Sequence, residues 1–164
     1  MEKSSQILLS EKSIQVIKVL LSEFPQKKSV VLPALHIIYH EFGYLDRMAI
    51  KQAAEITGVP EIYFDEAASF YTMFPLKPVG RYLIQVCRNI SCTLVGAEGL
   101  ISYLKEKLNI EIGGTTPDGL FTLVTVECLG SCGTGPMMQI NDTYYENLTR
   151  ARVDEILSSL GNKT

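Results

Sequence analysis

The chain has 164 residues, a length that allows one ordinary domain or two small ones. Hydrophobic residues make up 46% of the sequence and charged residues 20%, a balance typical of globular proteins and too apolar for a disordered chain. The formal net charge is −3, which indicates no basic surface for a polyanion, so nucleic-acid binding is not expected.

No targeting or membrane-spanning segment is evident in the sequence. Residues 1–6 lack the basic start and the long apolar core of a secretory signal. The longest apolar stretch, residues 30–38, is interrupted by Pro33 and His36 and is too short to span a bilayer. We therefore expect a cytoplasmic protein without direct membrane insertion, and a reducing cytosol disfavours a lasting disulfide framework.

In the first half of the chain, apolar residues recur with the period of amphipathic helices. Serine and aspartate favour helix starts, while glycine favours helix ends in the left-handed conformation. The predicted helices span residues 10–24 with Ser10 as N-cap, residues 30–42 with Gly43 as the stop, residues 46–57 between Asp46 and Gly58, and a segment from Pro60, as the first helical residue, through Ala68. We therefore predict a small helical bundle over residues 1–75.

Residues 76–80 indicate a linker, after which the apolar period changes. The predicted elements of the second half are a strand at residues 81–87, a helix at 96–108, a strand at 121–127, a hairpin of residues 136–140 and 144–145, and a helix from its cap Thr149 to Leu160, closed by Gly161. The order β-α-β-β-α is that of a thioredoxin-like core. The sequence thus predicts an α+β or α/β fold in which the helical bundle precedes a thioredoxin-like domain over residues 76–164.

All four cysteines lie in the second half, as Cys87 and Cys92 in a C-x4-C pair and Cys128 and Cys132 in a C-x3-C pair. Four thiolates can close a tetrahedral metal site or carry an iron–sulfur cluster. Structural zinc usually takes a C-x2-C pair, and the four-iron pattern C-x2-C-x2-C is also absent. Two wider pairs favour a two-iron cluster in which each pair holds one iron, with zinc, disulfides and free thiols as alternatives.

Each cysteine pair opens at the carboxyl end of a predicted strand. If these strands are parallel neighbours, their ends lie at one edge of the sheet and the two loops can converge. Gly130 and Gly133 would let backbone amides approach the sulfurs, or simply form a tight turn. Arg88 would add positive charge beside Cys87, although an exposed surface charge is the more ordinary interpretation.

The segments around the cysteines resemble a known family. C-R-N-I-S-C at 87–92, T-T-P-D-G at 115–119, V-E-C-L-G-S-C at 126–132 and the following G-P-M-M-Q-I-N-D are similar to the thioredoxin-like [2Fe-2S] ferredoxin subunit of NADH:quinone oxidoreductase (respiratory complex I). L-P-A-L-H at 32–36, E-F-G-Y-L at 41–45 and A-S-F-Y-T-M-F at 68–74 agree as well, so the likeness covers nearly the whole chain. One departure is Gly135, where the family leads us to expect alanine; we expect this position to touch no ligand.

The resemblance implies that one [2Fe-2S] cluster is ligated by Cys87, Cys92, Cys128 and Cys132. It also implies a partner flavoprotein subunit that binds FMN and NADH, further peripheral-arm subunits, and a location on the cytoplasmic face of the inner membrane through the parent complex. The chain would transfer one electron at a time as a subunit of an oxidoreductase, not as a complete catalyst.

Several other functions stay open at this point. The equivalent subunit of an NAD-linked formate dehydrogenase or of a bifurcating hydrogenase is the main alternative, and a zinc-stabilised structural module is a further one. A thiol–disulfide oxidoreductase would share the fold, but its C-x2-C is missing.

Other candidate sites are weaker. His36 and His40 have a metal-ligand spacing for a helix, but no third ligand is evident, and packing or surface exposure is the better interpretation. Pro136 stands where thioredoxin-like folds often place a cis-proline, although the sequence does not show the isomer. A group of aromatic residues suits either a partner surface or the core of the bundle: Phe64, Phe70, Tyr71 and Phe74.

Overall fold

The computed structural model describes residues 8–162, and the chain divides into two compact units, Met1–Pro78 and Val79–Thr164. Each unit has its own hydrophobic core. Over the described range, none of the helices combines the length and the apolar composition that crossing a bilayer requires.

The first unit is helical. Its elements are α1 (Glu11–Glu23), a 3-10 turn (Lys27–Val30), α2 (Val31–Phe42), α3 (Arg47–Thr57) and α4 (Glu61–Phe70). The predicted caps are confirmed, because the Ser10 side chain accepts from the Ser13 N–H and Asp46 accepts from the Met48 N–H at 2.8 Å. Pro60 is the N-cap of α4 and not its first helical residue, so that part of the prediction is wrong by one position.

The core of the first unit combines one large aromatic ring with aliphatic and small residues. Phe64 on α4 and Leu35 on α2 are completely buried. Ala34 on α2 and Ala49 and Ala53 on α3 are also completely buried, and their small side chains let the helices approach closely. The predicted helical bundle is thus present in the structure.

The second unit contains a four-stranded sheet with three helices. Its elements are β1 (Tyr82–Cys87), α5 (Ile90–Leu94), α6 (Ala97–Leu108), β2 (Phe121–Val126), a 3-10 turn (Cys132–Thr134), β3 (Met138–Ile140), β4 (Thr143–Tyr145) and α7 (Arg150–Gly161). The strand order is β2-β1-β3-β4, with β1 parallel to β2 and antiparallel to β3. This confirms the α+β fold with a thioredoxin-like second part.

Strand β1 is the buried centre of this sheet. Ile84 and Val86 are completely buried, and Gln85 between them is also buried, so both faces of the strand are covered. Leu104 of α6 and Val153 of α7 belong to the same core cluster as Ile84 and Val86. The core thereby fixes the end of β1, where the first cysteine lies.

Three local details differ from the sequence prediction. The short helix α5 was not predicted, because five residues are too few to show a helical period. The last helix includes Gly161 as its final residue, and Asn162 is the C-cap. Strand β3 begins at Met138 and not at Pro136, which has no N–H for a strand ladder, and the Gly135–Pro136 peptide bond is cis.

Candidate metal centre

The two cysteine pairs begin at the same edge of the sheet. Strand β1 ends at Cys87, which lies opposite Val126, the last residue of the parallel strand β2. The Arg88 N–H donates to the Val126 carbonyl oxygen at 2.9 Å, so the segments still run side by side where the strands end. Cys128 follows shortly after Val126. The strands are thus parallel neighbours, which was the condition for the common origin of the two cysteine loops, and that origin is confirmed.

Cys92 is carried by the short helix α5. Asn89 is the N-cap of α5, because its side-chain oxygen accepts from the Ile90 N–H at 2.9 Å and its carbonyl oxygen accepts from the Thr93 N–H at 2.9 Å. In this helix Cys92 lies on the buried side, and only 1% of the residue is exposed. Its buried cluster also contains Cys87, Ala97 and Met137. The Asn89 cap was the available sequence signal for this helix.

The second cysteine pair is exposed and lies in irregular structure. Cys128 precedes Gly130, whose N–H donates to the Cys128 Sγ at 3.3 Å. Gly130 has a φ of 78°, a left-handed conformation that favours glycine, so the predicted approach of this amide to a sulfur is confirmed. Cys132 begins the 3-10 turn Cys132–Thr134. The corresponding role of Gly133 stays a prediction.

Arg88 forms an exposed ion pair. Its Nε lies 3.7 Å from Glu127 Oε1, and the two side chains are 53% and 81% exposed. Solvent screens a pair of this kind, so it contributes little to stability. The interpretation of Arg88 as an exposed surface charge is therefore favoured over a tuning role at Cys87.

Burial and the neighbouring thiols disfavour ionisation of Cys92 in the metal-free chain. The pKa of the Cys92 thiol is raised to about 11, mainly by burial and then by a hydrogen bond and the charge of Cys87, with a smaller contribution from Cys132. The Met137 backbone acts in the opposite direction through a hydrogen bond to this sulfur. A bound cation would replace the proton, because metals bind the thiolate.

The donor set consists of two pairs of thiols. Within residues 8–162, no three His, Cys, Asp or Glu side chains are grouped so that they could hold one metal ion. A [2Fe-2S] cluster needs two protein thiolates at each iron, because bridging sulfides complete the coordination. The buried pair Cys87 and Cys92 and the exposed pair Cys128 and Cys132 fit this requirement.

Alkylation of the metal-free chain is expected to distinguish the two pairs. Cys128 and Cys132 are exposed, whereas Cys87 is 3% and Cys92 1% exposed. Because the reacting form is the thiolate and the pKa of Cys92 is raised, iodoacetamide at neutral pH should modify the exposed pair first. Peptide mass spectrometry would follow each cysteine, with the urea-unfolded chain as control. Equal labelling rates in the folded chain would contradict the burial of the first pair.

Gly135 lies against a predicted ligand, so the expectation that this position touches none is wrong. A Cβ atom at Gly135 would lie 2.9 Å from Val95 Cγ2 and 3.2 Å from Cys92 Sγ. Val95 is half exposed and has room to rotate, whereas the Cys92 sulfur is buried. The sequence could not show this contact, because the residues that make it are far apart along the chain.

Gly135→Ala is expected to lower the free energy of unfolding of the metal-free chain by about 1 kcal/mol, a small overpacking cost. Adding Val95→Ala should restore part of this loss, because the nearest contact of the new methyl group is removed. Gly133→Ala is the matched control, since a Cβ there meets nothing within 4 Å. Urea denaturation would measure the free energy of unfolding of the original chain, the two single variants and the double variant. Equal stability of Gly135→Ala and Gly133→Ala would contradict the contact.

The other candidate residues have packing roles. The rings of His36 and His40 stack with centroids 6.1 Å apart, and His36 also meets the Phe74 ring at 4.9 Å. Packing, not metal binding, is therefore the better interpretation of this histidine pair. Of the four aromatic residues, two are buried in the bundle and two are exposed: Phe64 and Phe74, then Phe70 and Tyr71.

Comparison with known proteins agrees with this geometry. The family model described as "Thioredoxin-like [2Fe-2S] ferredoxin" matches residues 17–161. The chain is 45% identical to a curated NADH-quinone oxidoreductase subunit of Rhizobium meliloti, over 84% of this chain and 82% of the relative. It is 37% identical to the corresponding protein of Rickettsia conorii over 98% of each chain. It is 42% identical to an NADH-quinone oxidoreductase subunit of Thermus thermophilus, over 82% of this chain and 75% of the relative.

A solved structure shows the same fold within a larger protein. The crystal structure of the NAD+-reducing [NiFe]-hydrogenase in the air-oxidized state superposes with a TM-score of 0.68 at 25% identity. The match covers 81% of this chain and 23% of the hydrogenase chain, so this chain spans less than a quarter of that structural relative. The resemblance found from the cysteine segments is confirmed by the family match and by the curated relatives. The chain belongs to the thioredoxin-like [2Fe-2S] ferredoxin family, together with these relatives from NADH-quinone oxidoreductases.

Proposed function

We propose that this chain is the electron-transfer subunit of an NADH-quinone oxidoreductase and that it holds one [2Fe-2S] cluster. The observation that carries the proposal is the parallel pairing of β1 with β2, which starts both cysteine loops at one edge of the sheet. The four ligands are Cys87, Cys92, Cys128 and Cys132. When bound, the cluster supplies a couple that accepts or donates a single electron.

The chain's own groups shape the surroundings of the sulfurs. Cys87 and Cys92 are buried from water, whereas Cys128 and Cys132 are exposed. The Gly130 N–H donates to the Cys128 sulfur and so stabilises negative charge there. Such donors make the addition of an electron easier, so we infer that they raise the reduction potential.

The partner is a flavoprotein subunit that binds FMN and NADH, with further subunits of a peripheral arm. The names of the relatives as subunits of NADH-quinone oxidoreductase support this proposal. The sequence itself contains no G-x-G-x-x-G and no Walker loop, and the proposal assigns the nucleotide site to the partner subunit. Through such a complex the chain would lie at the cytoplasmic face of the inner membrane.

We also propose that the two compact units are separate domains and that the second one alone carries the cluster. All four cysteines lie within Val79–Thr164, and the two units have separate hydrophobic cores. The domain limits expected from the sequence, residues 1–75 and 76–164, stay a prediction for folding experiments.

Purification of the native assembly through an affinity tag on this chain would test the function. We expect a flavin-containing, NADH-oxidising subunit to copurify, and NADH alone to reduce the cluster as seen by EPR. Copurification of an NADH-oxidising assembly that contains no two-iron signal would contradict the electron-transfer role.

The alternative is a role in another NAD-linked complex. The observation that supports this alternative is the structural similarity to the NAD+-reducing hydrogenase. In that case hydrogen or formate, as well as NADH, would reduce the cluster of the tagged assembly. Reduction by NADH, with no response to hydrogen or formate, would support the oxidoreductase of the respiratory chain.

A further inference from the structure

The loop that carries the exposed cysteines is held by a carboxylate outside the ligand set. Ser131 Oγ donates to Glu146 Oε1, and Thr134 Oγ1 donates to the same oxygen at 2.5 Å. The two hydroxyl oxygens are also 2.6 Å apart. Glu146 comes directly after β4, so the contact joins the cysteine loop to the hairpin of the sheet.

An ionised Glu146 can accept from both hydroxyls, because a carboxylate provides acceptors alone and each hydroxyl has one proton to donate. Both protons are then used, so the contact between the two hydroxyl oxygens carries no hydrogen bond of its own. The hydrogen bonds from Ser131 and then Thr134 lower the pKa of Glu146, against a smaller opposing effect of desolvation. At neutral pH the carboxylate therefore accepts from both hydroxyls.

The two hydroxyl residues bracket Cys132. Ser131 directly precedes it, and the Thr134 N–H donates back to the Ser131 carbonyl oxygen at 3.2 Å, which closes the turn around the cysteine. The Asn147 N–H donates to the Thr134 carbonyl oxygen at 2.7 Å. Glu146 and Asn147 thus hold both the side chains and the backbone of this turn.

The other end of the loop has a separate attachment. The Tyr144 hydroxyl donates to the Leu129 carbonyl oxygen at 2.8 Å, directly after Cys128. The loop from Cys128 to Thr134 is therefore attached at both ends to residues 144–147, which belong to the hairpin and its exit. Cys128 and Cys132 are themselves exposed, and these contacts restrain the loop that carries them.

We propose that Glu146 is a positioning residue for the cluster: it holds the Ser131–Thr134 turn so that the Cys132 sulfur stays at its iron. The inference rests on the proposed function, since it takes Cys132 as a ligand. Glu146 is exposed, so solvent screens its charge, and its effect comes from hydrogen bonding and not from its field at the iron. Partners of this kind commonly change metal affinity by about 10–100-fold.

The test compares Glu146→Ala with Glu146→Gln in the full chain. Glu146→Ala removes the acceptor, and we expect roughly tenfold faster loss of iron to a chelator, with changed EPR g-values and a shifted midpoint potential. Glu146→Gln keeps a side-chain oxygen of the same reach and should retain iron nearly as well as the original chain. Glu106→Gln, at an exposed carboxylate on α6, is the control for the change in net charge.

A second variant keeps the proposal falsifiable if Glu146→Ala folds poorly. The double variant Ser131→Ala/Thr134→Ala removes both donors and should reproduce the faster iron loss. Combined with Glu146→Ala, it should increase the rate of iron loss little further, because the three residues act through the same contact. Iron retention, g-values and potential all unchanged in Glu146→Ala would overturn the proposal, even if its unfolding temperature fell. Equal iron loss from Glu146→Ala and Glu146→Gln would also overturn it. An original chain that binds no two-iron cluster would instead overturn the proposed function.

Discussion

Cys92→Ser is expected to abolish stable cluster binding. The side chain is 1% exposed, so its sulfur lies where water cannot take its place at the iron. A serine oxygen is a poor substitute for the thiolate that iron prefers. We expect iron to be lost more than about tenfold faster than from the original chain, since even partners outside the ligand set contribute that much. Iron content and visible absorption after reconstitution would measure the effect.

The control for this prediction lies on the same helix. Ser91→Ala changes a neighbouring side chain of α5 without altering a sulfur, and it should retain about two irons per chain. Because cluster binding and folding are coupled, Cys92→Ser should also lower the stability of the second unit. Iron retention by Cys92→Ser equal to that of Ser91→Ala would remove Cys92 from the ligand set.

Phe64→Ala is expected to cost the helical bundle about 3–5 kcal/mol of unfolding free energy. The Phe64 ring is completely buried among the helices of the first unit, so its removal leaves a cavity that the neighbouring side chains fill only in part. Urea denaturation followed by far-ultraviolet circular dichroism would record the lower midpoint of the helical transition.

Phe70→Ala is the matched control, because it removes the same ring from the same helix at a position that is 76% exposed. Its effect should stay within about 0.5 kcal/mol. If the two units are separate domains, as we propose, Phe64→Ala should leave the urea midpoint of the cluster absorption unchanged. Similar losses for Phe64→Ala and Phe70→Ala would contradict the described core.

The helices of the bundle could be predicted because their signals are local. Ser10, Asp46, Gly43 and Gly58 act on backbone groups within one helical turn, and the structure places all four at helix ends. The same holds for β1 and β2, whose apolar runs end at the cysteine segments. The parallel pairing of the two strands was a condition of the sequence argument; the strand–helix–strand order agrees with it, because parallel strands need a long crossover, usually a helix.

The surroundings of the cysteines could be predicted only in part, because they depend on contacts between distant residues. The proximity of Gly135 to the Cys92 sulfur, and of Glu146 to Ser131, arises only after the sheet has formed. No periodicity or spacing encodes such contacts. The burial of Cys92 likewise depends on α5, a helix too short for its period to be recognised.

EPR spectroscopy of the dithionite-reduced chain, with iron and zinc quantified on the same sample, tests the central claim most directly. We predict the signal of a reduced two-iron centre and about two irons per chain, held by the four cysteines. A silent spectrum with about one zinc per chain would contradict the electron-transfer role and would indicate a structural metal module.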